Sequence, residues 1–136
     1  MGVLALFLTG AMSVQIGREY GVAPASIGAL ASVFALATSA GSAPLGRQVR
    51  RLGVRRSRWV ATAASSVALL SCAASSSIPM LAAALFVGGL GNAIGQPAGN
   101  ALVAAQVRPE RFGLGFAIKQ SGIPLATLLG GLAVPL

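Results

Sequence analysis

Histidine is absent from this 136-residue chain, cysteine occurs once and carboxylates occur twice. Without imidazole, no Ser/His or Cys/His nucleophile can be assembled, and the commonest metal ligand is missing. The lone cysteine, Cys72, rules out an internal disulfide and reads as a small packing residue. The two acids, Glu19 and Glu110, both lie outside the long apolar runs. A proton relay through a membrane normally needs a carboxylate or histidine within a span, so this chain alone offers none. The stretch "GLGNAIG" is glycine-rich, but it has no strand before it and no lysine after it, so it is not a phosphate loop. These absences argue against an enzyme. No cofactor and no bound metal are expected.

Charge of either sign is also scarce. Only 9% of residues are charged, against about 25% in a soluble domain. Apolar residues make up 55%, and the mean hydropathy is +0.81. A soluble domain of this size could not cover so much apolar surface. Uncharged stretches run from Met1 to Gly17, Tyr20 to Gly46, Trp59 to Val107, Phe112 to Ile118 and Gln120 to Leu136. A bilayer core of ~30 Å takes about 20 apolar residues as helix. The fold class expected is all-α: a polytopic transmembrane helix bundle of about five spans in a lipid bilayer. The spans fall at about 1–17, 24–45, 59–76, 79–105 and 112–136, in a single domain. More spans follow the first, and no basic residue lies before Val3, so a signal peptide is not expected.

What charge exists is concentrated. Six of the ten basic residues lie in "GRQVRRLGVRRSR", residues 46–58. The net charge of +8 does not call for a nucleic-acid partner, because no aromatic residue is interleaved with these arginines for base stacking. Cytoplasmic loops retain Lys and Arg, so 46–58 is expected as an inner loop of the plasma membrane, with the N-terminus inside. The remaining loops agree. "REYGVAP" and "SSSIP" fall outside with little or no net charge, and "QVRPERFG" falls inside with two arginines against one glutamate. Tyr20, Trp59 and Phe112 sit near span ends, where interfacial aromatics collect.

The fourth span carries two stripes. Gly91, Gly95 and Gly99 recur every fourth residue, a pattern that admits a second helix backbone at close range. Asn92, Gln96 and Asn100 recur at the same interval, about 100° round the helix. Three carboxamides facing lipid would be costly, so they face protein or a wet cavity. They serve either interhelical hydrogen bonding or a solute-lining face. Pro97 removes a backbone donor among them and should bend the helix. Lys119 is the one charge placed inside a span, about 12 Å into the fifth helix. It is either a cation snorkelling back to the inner interface or one awaiting an anionic solute group. Gln120 adds donors beside it. Thr9 and Gln15 are weaker candidates for the same path.

The segment Gly46–Arg56, "GRQVRRLGVRR", resembles the signature of the major facilitator superfamily, G-x-L-x-D-R-x-G-R-R with variations. Gly46 and Gly53 match its glycines, Arg51 its arginine, and Arg55 and Arg56 its basic pair. It falls after the second span, as in that family. Arg50 stands where the signature has its acidic residue. The resemblance implies solute transport by alternating access between two six-helix halves. It also implies that Gly46, Arg50, Arg51, Gly53, Arg55 and Arg56 belong to a conformational switch, and that helices one, four and part of five line the path. A small-molecule solute is then the partner, with an anionic one among the candidates. Five spans against about twelve lead us to expect a truncated chain whose partner is a missing carboxy-terminal half. The alternative is a membrane-embedded structural or interaction protein, or an inactive truncation product, with no transport of its own.

Overall fold

The computed structural model describes residues 4–11, 17, 21 and 24–132. These form an all-α bundle: α1 (Leu4–Ala11), α2 (Pro24–Leu52), α3 (Val54–Ala73), α4 (Ile78–Gln106), a 3-10 turn (Pro109–Arg111) and α5 (Phe112–Leu132). Gln15, Glu19 and Tyr20 lie outside the described residues. Among the described residues, three stretches are long and apolar enough to cross a membrane: Gly28–Leu52, Ile78–Gln106 and Pro109–Leu129. The span expected at 59–76 falls on α3, which starts with Arg55, Arg56 and Arg58 and is diluted by serine and threonine. Its polarity serves packing on a neighbouring helix, as shown below. Of the span expected at 1–17, the described helix covers Leu4–Ala11.

The arginine segment is not a loop. Residues 46–52 continue α2, residues 54–58 open α3, and only Gly53 separates the two helices. Arginine is a good helix former, and the segment holds no proline. Its charge density marks a membrane face without breaking the helix. Gly53 makes the turn at φ 79°, ψ 158°. Its N–H donates to Val49 O at 3.0 Å, and its carbonyl accepts the Ser57 N–H at 3.1 Å. One residue therefore ends one helix and starts the next.

α4 is the central element, packed along much of its length against α2 on one side and α3 on the other. The face towards α3 is built from small residues on both helices. Ser57, Ala61, Ser65 and Ala68 are its buried positions on α3. A Cβ built on Gly88 would lie 3.3 Å from Ala68 Cβ, on Gly91 3.0 Å from Ala64 Cβ, and on Gly95 3.5 Å from Ala61 Cβ. The two serines are buried without cost to the packing. Ser57 Oγ donates to Gly53 O at 2.9 Å, and Ser65 Oγ to Ala61 O at 2.8 Å. Towards α2 the approach is tighter still. A Cβ on Gly89 would meet Phe34 O at 2.5 Å and Ala37 Cβ at 2.8 Å. Thr38 Oγ1 crosses this gap to donate to Gly89 O at 3.1 Å.

The apolar core lies towards the start of α4. Leu30 and Phe34 of α2 meet Leu81 and Leu85 of α4, with Leu6, Leu69 and Cys72 around them. α5 is more loosely attached, touching α1 and the last turns of α4. Gly115 admits Val103 and Val107 there. Phe112 and Phe116 stack edge to face, with ring centroids 6.5 Å apart. Leu114, Ile118, Leu125, Leu128 and Leu129 remain exposed on α5, an outward face suited to hydrocarbon.

Two substitutions test this architecture in detergent by thermal unfolding. Gly89→Ala drives a methyl into a backbone carbonyl that cannot rotate away, and should cost about 1–3 kcal/mol. Gly113→Ala, which meets open space, should cost nothing. Gly53→Ala forces a side chain into a left-handed φ and should cost about 1–2 kcal/mol. Gly46→Ala, within α2 and also in open space, should be neutral or stabilise by up to about 1 kcal/mol.

Candidate functional site

α2 and α3 flank α4 on two sides. The second half of α4 carries amides and meets α5. Between α3, α4 and α5 lies a cleft of about 280 Å³. α4 lines it with Asn92 and Gln96, and α5 with Lys119 and Gln120. α3 contributes Arg58, Thr62 and Ser65. The apolar part of the wall is Ala61, Ile123 and the glycines of α4.

Lys119 organises the polar side of this cleft. Its ammonium donates to Gln96 Oε1 at 2.7 Å and to Asn100 Oδ1 at 2.7 Å. Both distances are those of charge-assisted hydrogen bonds. Gln96 and Asn100 stand four residues apart on α4 and so lie on one face, one turn above the other. Gly99 makes room for the lysine stem, since a Cβ there would sit 3.0 Å from Lys119 Cε. The ammonium therefore ends on α4, level with Gly99, and does not reach back to the Pro109–Arg111 turn as a snorkelling cation would.

Two prolines loosen the backbone beside it. Pro97 lies inside α4 and Pro124 inside α5. Each removes the N–H that would bond four residues back. The carbonyls left without that donor belong to Ala93 and to the cleft residue Gln120. The second is an acceptor near the site that a straight helix would have used up.

The sequence candidates divide in three. Asn92, Gln96, Lys119 and Gln120 line the cleft, and Asn100 joins them through its bond to Lys119. Thr9 is buried on α1 and is not among the lining residues, while Gln15 lies outside the described residues. Gly46, Arg50, Arg51, Gly53, Arg55 and Arg56 cluster at the α2–α3 junction, with the four arginines exposed. The glycine stripe is also divided: Gly91 and Gly95 face α3, whereas Gly99 faces Lys119. Sequence reasoning missed Arg58, Thr62 and Ser65. Their spacing, four and then three residues on one helix face, was the available signal.

The family model described as Major Facilitator Superfamily matches residues 1–136 of the chain. No curated protein and no solved structure matches it.

Lys119 is the only lysine in the sequence, which makes it a chemical reporter of the site. Gly99→Val should push its stem off α4 and loosen both hydrogen bonds. Acetylation of that amine, followed by peptide mass spectrometry, should then run about threefold or more faster than in the unaltered chain. Gly113→Ala, which lies in open space on α5 and away from the cleft lining, should leave the rate unchanged.

Proposed function

The chain belongs to the Major Facilitator Superfamily, and from that premise we propose that it carries a small solute across a membrane by alternating access, with the cleft between α3, α4 and α5 as part of the solute path. The observation that carries this reading is the Lys119–Gln96–Asn100 cluster. A charge on an apolar span is costly unless a cavity or a partner requires it. Here it meets two amides at the edge of a cleft lined by further polar groups.

Movement has a physical basis in the same elements. Contacts between glycine and alanine interlock shallowly, so helices packed through them can slide with little side-chain rearrangement. Pro44, Pro97 and Pro124 sit inside three of the helices and supply places to bend. The junction at Gly53, with Arg50, Arg51, Arg55 and Arg56 around it, is the proposed switch. Its arginines can meet carboxylates of a second helical half in one conformation and release them in the other. Arg50 in the signature's acidic position means that the acidic partner must come entirely from elsewhere.

The orientation proposed is N-terminus and arginine junction in the cytosol, in the plasma membrane. A second reading, a membrane-embedded interaction protein without transport, draws on α5. Leu114, Ile118, Leu125, Leu128 and Leu129 are exposed along it, so α5 has a long face open to another protein as well as to lipid.

Transport is tested by counterflow in proteoliposomes with a panel of small solutes. An active solute should be found, and Gln96→Ala should lower its flux about tenfold or more while protein abundance stays the same. Absence of flux for every solute would favour the second reading. Topology is tested in a Cys72→Ser background. Ser76→Cys, in the turn between α3 and α4, should react with a membrane-impermeant maleimide on intact cells. Gln48→Cys should react only after permeabilisation; the reverse pattern would invert the orientation.

A further inference from the structure

We propose that the solute held in the cleft is a small organic anion, its acidic group gripped by Lys119 and by the amide hydrogens of Gln96, with Asn100 helping to hold the ammonium in place. This rests on the reading of the cleft as a solute site and adds the chemical class of what it takes.

The first argument is charge. The formally charged residues that line the cleft are Arg58 and Lys119. Both are cations, and Glu110 is not among the lining residues. An uncompensated positive field in a partly desolvated cleft selects for an anion.

The second argument is the orientation that the lysine imposes on its neighbours. An ammonium has donors and no acceptor. The groups of Gln96 and Asn100 that face it at 2.7 Å must therefore be their oxygens. Each amide then turns its NH2 away from the lysine. Two of the three ammonium hydrogens are used, and one is left. What this trio offers an incoming molecule is mostly hydrogens, against one remaining lone pair on each amide oxygen, which suits a carboxylate or phosphate oxygen better than a cation.

The third argument is size and lining. About 280 Å³ holds a small molecule and not a peptide or a lipid tail. Ala61, Gly91, Gly95 and Ile123 give it an apolar wall. A compact hydrocarbon body with one acidic head satisfies both sides of the cleft. Arg58, where α3 begins, adds attraction for the approach of such a solute.

The competing account makes Lys119 a staple that ties α5 to α4 and binds nothing. Equilibrium binding to the purified full chain in micelles separates the two, using probes of one shape and different charge: benzoate, phenyl phosphate, benzamide and benzylammonium. Benzoate or phenyl phosphate should slow acetylation of Lys119 about tenfold or more at saturation, and benzamide and benzylammonium should not. Which of the two anions protects more decides between a carboxylate and a phosphate head. Direct binding of the better anion should survive Lys119→Arg and fall about tenfold or more in Lys119→Gln. Gln96→Glu is the sharper variant. It keeps a partner for the ammonium, so a staple is preserved or strengthened, yet it installs a resident anion and should abolish binding of the probe. Unaltered thermal unfolding shows that the variant is folded. Equal protection by benzamide, no protection by either anion, or anion binding indifferent to Lys119→Gln and Gln96→Glu would each overturn the proposal. Because the assay needs no flux, anion binding without transport would sink the transport reading alone, and transport of a neutral solute without anion binding would sink this one alone.

Discussion

Hydrocarbon gives apolar helices no reason to associate, because lipid tails are as apolar as leucine. Helices in such a solvent hold together by contact at close range, and close range requires small residues. The backbone approach along α4 is therefore the constraint on which the rest depends. Gly89 brings the carbonyl of Phe34 to the surface of α4, and Gly88, Gly91 and Gly95 bring α3 within reach of its alanines. With α2 and α3 committed to two sides of α4, its amide stripe is left to face α5 and the edge of α3. The cleft is the space that this arrangement cannot fill.

Charge is distributed to suit the two ends differently. Arg50 and Arg51 close α2, where they complement the negative end of the helix dipole. Arg55, Arg56 and Arg58 open α3, where the dipole opposes them and no acidic residue stands in the first turn. Each unfavourable placement at an exposed helix start costs about 0.3–1 kcal/mol. α3 accepts this because its own stability comes from the small-residue face against α4. A helix start that gathers three guanidinium groups without a local carboxylate remains open to anions from outside the chain.

Much of this organisation was legible in the residues, and the limits have physical causes. The amide stripe was visible because four-residue spacing puts Asn92, Gln96 and Asn100 on one face whatever surrounds the helix. Lys119 stood out because it is the sole charge amid apolar residues. That the ammonium would end on Gln96 and Asn100 was not legible, since it depends on the register of α5 against α4, which no spacing along either helix encodes. The arginine junction was read as a loop because charge density and helix propensity point in opposite directions there, and propensity prevailed everywhere except Gly53. The serines and alanines of α3 form its interface with α4, a role that hydropathy along the chain does not reveal. The doublet Gly88–Gly89 passed unnoticed beside the more regular Gly91–Gly95–Gly99 stripe, yet Gly89 makes the tightest approach.

The choice of partners for Lys119 is itself informative. A carboxylate beside an ammonium in a poorly solvated cleft would hold it firmly, because separating the two would leave two uncompensated charges. Two amide oxygens take two of the ammonium's three hydrogens without cancelling its charge. The cation is positioned but not neutralised, and it can exchange one acceptor for another at the cost of a hydrogen bond instead of an ion pair. A staple meant only to join helices has no need of that weakness. A site that must take up a ligand and release it again needs an anchor strong enough to orient the lysine and weak enough to be displaced, and neutral amides at i and i+4 on a proline-softened helix supply both.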